Sequence, residues 1–263
     1  LTTVTGLSYT DNAVVNETTY SYYLKAAYAG GDSDPTATVN AMPTAVVPTE
    51  VIIGTGTSAT GNTAASPINV FYKSLHGQSV YTAAELNAAG PFGPVNITQI
   101  GFNITGLPTV TMPNFVVRMK HTPATDVSAW VDNTNLTTVY SNPSYLPTAT
   151  GWNMYTFSTP FLWNGTDNLL VDTAFGLFSS NYAQTGNVQY TTVTNGYRYI
   201  RSDSADQTSL FTGGSTATTR PNLKLAFSAV TANPQISVNP ASIAFGSVAV
   251  GTTSTQNFTI ANT

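Results

Sequence analysis

Apolar and polar residues alternate with a period of two along most of this chain, and glycine, proline and asparagine interrupt the alternation at short intervals. That period places successive side chains on opposite faces of a β-strand. The segment Thr82-Ala-Ala-Glu85 has the form of a capping box and predicts one short helical turn. We predict an all-β fold with a central, jelly-roll-like β-sandwich over residues 49–228. The clearest candidate strands are at residues 97–104, 115–120, 153–157, 168–172, 197–201 and 223–227.

The surface of such a fold carries little charge here. Charged residues make up 8% of the 263 residues, against about 25% in an average soluble domain. Threonine, serine and asparagine must therefore cover the surface, as is typical of extracellular proteins, so we expect a secreted or cell-surface location. A net charge of −4, with eight scattered Lys and Arg residues, argues against nucleic acid as a partner.

The chain has no cysteine, which excludes disulfides, thiolate metal sites and cysteine nucleophiles. No apolar run approaches the roughly 20 residues that a membrane-spanning helix needs, so no membrane span is expected. The chain opens at Leu1 rather than at Met, and we expect no signal peptide within it. We expect a processed chain or a piece of a longer one.

Residues suited to catalysis are sparse. His76 and His121 lie at no metal-ligand spacing, and no serine lies in a nucleophile elbow. Most carboxylates fall in turn-like sequences, which explains them without a catalytic pair. We therefore expect neither enzyme activity nor a cofactor. Trp130 lies in a loop-like segment, and it is the candidate for stacking on a sugar ring.

Residues 1–43 contain a further pair of strands. In Tyr20-x-Tyr22-x-Leu24-x-Ala26-x-Tyr28 the even positions form an apolar face, and Gly30-Gly31 turns the chain so that residues 36–41 return as an antiparallel partner. This pattern resembles the C-terminal half of a fibronectin type III domain. The resemblance implies that Tyr20 is a corner tyrosine bonded to upstream backbone, within a spacer or adhesion module.

Two other parts of the chain carry a resemblance. The central body is similar to a sandwich module repeated in large secreted proteins of Bacteroidota, and that module implies no activity. Residues 234–263, with Phe245-Gly246 and Phe258-Thr-Ile260, resemble the opening of a choice-of-anchor or ASH-type immunoglobulin-like domain. The central likeness rests on IGTGTS at 53–58, VYTAAEL at 80–86, ITQIGF at 97–102, TPFLWNGTDNLLVD at 159–172 and RPNLKLAF at 220–227.

Both end segments contain only part of a sandwich, whose edges and apolar faces would be open. One hypothesis is strand complementation, in which residues 234–263 pair with a neighbouring copy, through its residues 1–43, in a head-to-tail filament. The alternative is a trimmed multidomain chain. The function we expect is that of a structural subunit of an extracellular filament or surface assembly; the alternative is an adhesion or carbohydrate-binding module. The predicted assembly strands contain Tyr20, Tyr22, Leu24, Ile236, Val238, Ile243, Phe245, Phe258 and Ile260.

Glycans could keep such an uncharged surface soluble. Asn-x-Ser/Thr sequons are abundant, although a chain this rich in asparagine and threonine also produces them by chance. Two short Asp-Thr/Ser-Ala sequences add candidates for O-glycosylation. The candidate acceptors are Asn16, Asn96, Asn103, Asn135, Asn164, Asn257, Thr173 and Ser204.

Overall fold

The computed structural model describes residues 11, 13–15, 18–28, 30–43, 49–90, 93–183, 185–229, 236–239 and 259–262. The chain divides into two compact units, Leu1–Ser228 and Ala229–Thr263. Candidates Asn16, Ile243, Phe245, Asn257 and Phe258 lie outside the described residues.

The first unit begins with two short antiparallel pairs. Strand β1 (Tyr20–Tyr22) pairs with β4 (Val39–Ala41), and β2 (Ala27–Tyr28) pairs with β3 (Gly31–Asp32). The hydroxyl of Tyr20 accepts a hydrogen bond of 2.9 Å from the backbone nitrogen of Val15, five residues upstream. The predicted return strand and the predicted tyrosine contact are therefore both confirmed.

The main body is a pair of antiparallel sheets. The five-stranded sheet has the order β10-β7-β15-β5, with β12 also paired to β7. Its strands are β5 (Glu50–Ile53), β7 (Val95–Gly106), β10 (Gly151–Trp163), β12 (Asn187–Val188) and β15 (Leu223–Ala229).

The six-stranded sheet has the order β14-β13-β6-β11-β8-β9, so its edges are β14 and β9. Non-consecutive neighbours show that the chain crosses repeatedly between the two sheets. The strands are β6 (Ser74–Tyr81), β8 (Met112–Thr122), β9 (Thr137–Tyr145), β11 (Asn168–Phe175), β13 (Tyr190–Ser202) and β14 (Ser215–Pro221).

The core lies between the inner faces of these sheets, because one buried cluster joins apolar side chains of both. The alternation seen in the sequence explains it: Ile100, Phe102 and Ile104 of β7 are buried, whereas Asn103 between them is half-buried. Trp163 and Phe115 are among the largest fully buried side chains. Burying an aliphatic or aromatic side chain of this kind contributes about 1.5–3 kcal/mol. These features confirm the predicted all-β sandwich.

A single helix within the described residues, α1 (Ala83–Ala89), follows β6. Thr82 caps it: its hydroxyl accepts from the backbone nitrogen of Glu85, and the Glu85 carboxylate accepts from the backbone nitrogen of Thr82. The predicted capping box is confirmed. The same carboxylate pairs with the guanidinium of Arg220, which is 4% exposed, and thereby ties α1 to β14.

In the second unit, β16 (Ile236–Asn239) pairs with β17 (Thr259–Asn262) in antiparallel register. Val238 lies opposite Ile260 in this pair. Across the described part of the chain, no helix has the length and apolar character required to cross a membrane.

Candidate functional site

Two segments cross the outer face of the six-stranded sheet and cover it. The first crossing segment, residues 123–136, connects β8 to β9, and the second, residues 203–214, connects β13 to β14. Val127 of the first segment packs with Val80 and Leu170, which point outward from the sheet, in a second small buried cluster. Burial of Val127 against these apolar residues explains why the first segment packs on the sheet rather than extending into solvent.

A charged cluster lies beneath these segments. Asp172, on the central strand β11, has no exposed surface, and its carboxylate accepts hydrogen bonds from His76 Nε2 at 2.7 Å, Arg118 Nε at 2.7 Å and Gln78 Nε2 at 2.9 Å. Burial raises the pKa of Asp172, but the hydrogen bond and charge of His76 and the charge of Arg118 outweigh burial and hold it below its usual value. The carboxylate is therefore ionised in the folded protein.

His76 is fully buried between two acceptors. Its Nδ1 lies 2.7 Å from the carbonyl oxygen of Leu210, and its Nε2 lies 2.7 Å from Asp172 Oδ2. A carbonyl and an ionised carboxylate only accept hydrogen bonds, so both ring nitrogens must donate. These two contacts anchor the second crossing segment to the sheet.

Trp130 packs on the charged cluster through His76. Its ring stacks on His76 with centroids 4.7 Å apart, and its Nε1 donates to the carbonyl oxygen of Gly213 at 2.8 Å. The guanidinium of Arg198 lies 5.3 Å from the centroid of the same ring. The structure thus places the predicted sugar-stacking residue half-buried, with one ring face on His76, where it links the two crossing segments.

An open cleft of about 750 Å³ is lined by residues between 120 and 135, most of which belong to the first crossing segment. Lys120 lines the cleft, and its Nζ donates to Asp132 Oδ1 at 3.1 Å. This side-chain hydrogen bond holds the pKa of Asp132 below its usual value. The backbone nitrogen of Ser128 donates to Asp126 Oδ1 at 2.8 Å, and this hydrogen bond holds the pKa of Asp126 below its usual value. The cleft thus combines charged and polar groups with apolar ones such as Ala124, Ala129 and Val131. Among the described residues, no group of three or more His, Cys, Asp or Glu side chains is placed to hold a metal ion.

The sequon residues differ in how accessible their amides are. The amide nitrogen of Asn103 donates to Gln189 Oε1 at 2.8 Å, and that of Asn164 donates to Asp167 Oδ2 at 2.7 Å. Asn96 is half-buried on β7. Asn135 is exposed and has a φ of 58°, in the turn just before β9. Asn135 is therefore the sequon that the fold presents best.

The two O-glycosylation candidates lie in opposite environments. Thr173 is 2% exposed on the central strand β11, so a sugar on its hydroxyl has no room in the folded sheet. Ser204 is exposed in the second crossing segment, where its backbone nitrogen donates to the hydroxyl of Ser202 at 3.1 Å.

The sequence did not reveal the charged cluster, although it marked each member separately. His76 on β6, Arg118 on β8 and Asp172 on β11 each directly follow a buried apolar residue of their strand, and Gln78 lies two residues after His76. Several polar residues at outward positions of different strands are the signal that could have identified a covered polar face. We find no match to this chain among family models, curated proteins or solved structures.

Proposed function

We propose that this chain is a structural module of an extracellular filament or surface assembly, in which a strand of a neighbouring copy completes the segment at residues 20–41. The observation that carries the proposal is the exposure of apolar side chains on that segment. Leu24 is 71% exposed, Val39 65% and Tyr23 44%.

A two-stranded sheet is marginal in water by itself, because it has no third strand or packed layer to cover its apolar side chains. Within the described residues, β1 pairs with β4 and β2 pairs with β3, and neither pair belongs to a larger sheet. A strand added from a neighbouring chain would supply backbone partners and cover apolar area at once. The resemblance to half of a fibronectin type III domain supports the same interpretation.

The test uses the complete chain at several concentrations, with mass measured by light scattering and particles viewed by negative-stain electron microscopy. Leu24→Asp and Val39→Asp should each reduce assembly, whereas Leu146→Asp, at an exposed apolar residue of the sandwich, should not. A chain that remains monomeric at every concentration would overturn the proposal. Equal effects of all three substitutions would also do so.

The low surface charge supports an extracellular location, and Asn135 and Ser204 are exposed positions where glycans would keep this surface soluble.

The cleft under the first crossing segment favours a second candidate function, carbohydrate binding. Lys120, Asp126 and Asp132 are among the residues that line this cleft, which is large enough for a sugar unit. Calorimetric titration with a panel of neutral oligosaccharides tests this candidate. Binding that disappears in Asp126→Ala but persists in Asp203→Ala, an exposed aspartate outside the cleft, would support it. Absence of binding to the whole panel would reject it.

A further inference from the structure

The two sheets of the sandwich end in four edge strands within the described part of the chain: β5 and β10 in one sheet, β9 and β14 in the other. An edge strand presents unpaired backbone N–H and C=O groups, which can pair with a strand of another chain. Natural proteins protect such edges with proline, charge, bulges or short strands.

Three of the four edges have this protection. Strand β9 contains Pro143, which removes one backbone donor. Strand β10 shifts register between Thr156 and Phe161, and this irregularity interrupts a regular edge. Strand β5 is four residues long and carries the ion pair between Glu50 and Lys224.

Strand β14 has its proline, Pro221, and its charge, Arg220, together at one end, and it has none of these features over residues 215–219, whose sequence is Ser-Thr-Ala-Thr-Thr. The pairing of β14 with β13 is irregular, but the extra residues belong to β13. Residues 193–196 of β13 lie between the partners of Thr219 and Ala217. The inner end of the strand is fixed by Arg220, which is buried and paired with Glu85. The edge is therefore uncharged and already held in an extended conformation.

We propose that β14 is an assembly edge, which pairs antiparallel with β14 of a second copy and joins two six-stranded sheets into one continuous sheet. This inference rests on the proposed function and names the surface that would serve it. Hydroxyl side chains favour other hydroxyl side chains as cross-strand neighbours, and like charges directly opposite each other are unfavourable. A second β14 satisfies both conditions, because two-fold pairing places Ser, Thr and Ala opposite Ser, Thr and Ala.

Because the chain contains no cysteine, any disulfide formed in a crosslinking test must come from an introduced residue. Thr216→Cys and Thr218→Cys each place a thiol at an exposed position of β14. Thr138→Cys is the matched control, on the opposite edge strand β9 of the same sheet. A two-fold antiparallel pair places at most one of these positions opposite its own copy, so one of the two β14 variants, or their equimolar mixture, should yield a covalent dimer under mild oxidation of dilute full-length protein, and the control should not. Equal yields from both edges, or no dimer from β14, would overturn the inference.

A charge substitution gives an independent readout. Thr218→Lys places like charges close together across the two-fold pair, and Thr218 lies opposite the irregular part of β13, so the substitution disturbs no cross-strand partner there. Self-association measured by sedimentation should weaken at least tenfold, while Ser141→Lys, at an exposed position of β9 opposite the uncharged Val116, leaves it unchanged. Thermal unfolding identical to that of the unsubstituted chain checks that the variant is folded.

The outcomes separate this inference from the proposed function. Assembly that depends on Leu24 and Val39, with no crosslinking through β14, rejects the β14 edge and leaves the proposed function standing. Crosslinking through β14 with no effect of Leu24→Asp or Val39→Asp supports the edge and rejects completion of residues 20–41.

Discussion

The imidazole of His76 lies 2.7 Å from the carboxylate of Asp172, and both side chains are fully buried beneath the two crossing segments. Buried ions cost free energy unless partners satisfy them, and here Arg118, Gln78 and the carbonyl of Leu210 complete the set. The cluster therefore couples the sheet to the segments that cover it.

Asp172→Ala should destabilise the fold strongly, because it leaves the buried ring of His76 and the guanidinium of Arg118 without the carboxylate that they share. Removing one partner of a buried ion pair typically costs about 3–5 kcal/mol in unfolding free energy. The matched control is Asp132→Ala, which removes an aspartate that is 71% exposed and pairs with Lys120. Urea unfolding measures both. Similar losses for the two variants would contradict the interpretation of the cluster.

The cluster also makes stability depend on acid pH. The pKa of Asp172 is lower in the folded chain than in the unfolded one, where an aspartate titrates near about 3.9. Its stabilising contribution is therefore complete above that value and is lost as pH falls through the folded-state pKa. Glu85, whose pKa is also lowered, by Arg220 and Thr82 against the effect of burial, adds a smaller contribution of the same sign because it is more exposed.

Unfolding free energies measured from pH 7 down to pH 3 test this dependence. The unsubstituted chain should be more stable than Asp172→Asn at neutral pH, and the difference should narrow as the pH falls below about 4. A difference that stays constant across this range would show that Asp172 does not titrate as inferred.

Local pattern was sufficient to predict much of the fold. Residues 97–104 alternate as a half-buried strand, and they lie within β7; residues 168–172 lie within β11. The Thr82 capping box predicted α1 because both of its hydrogen bonds are formed by residues three apart. Such features depend on neighbours in sequence, which a single sequence displays directly.

The covered site depends on distant partners, which explains why it was not predicted. His76 and Asp172 are 96 residues apart and meet only because β6 and β11 are neighbours in the six-stranded sheet. Strand order cannot be determined from alternation alone. For the same reason Thr173 matched a short glycosylation sequence although it is buried on a central strand.

Trp130→Ala should loosen the crossing segments without unfolding the sandwich. The substitution removes the stack on His76 and the hydrogen bond to Gly213, so amide hydrogen exchange should accelerate within residues 126–131 and 207–213. Trp152→Ala, at a half-buried tryptophan of β10, is the control and should leave those amides unaffected. Exchange that accelerates uniformly over both sheets would instead indicate general destabilisation.

Glycan occupancy should follow the accessibility of each amide nitrogen. In a host that glycosylates sequons, Asn135 should be modified to a greater extent than Asn103 or Asn164, because the folded chain exposes Asn135 and engages the other two amides in hydrogen bonds of 2.8 and 2.7 Å. Peptide mass spectrometry of the secreted protein measures occupancy at each site, and Asn135→Gln should remove the principal glycan. Equal occupancy at the three sites would mean that the sequons are modified before the sandwich folds, so that burial in the final structure does not select among them.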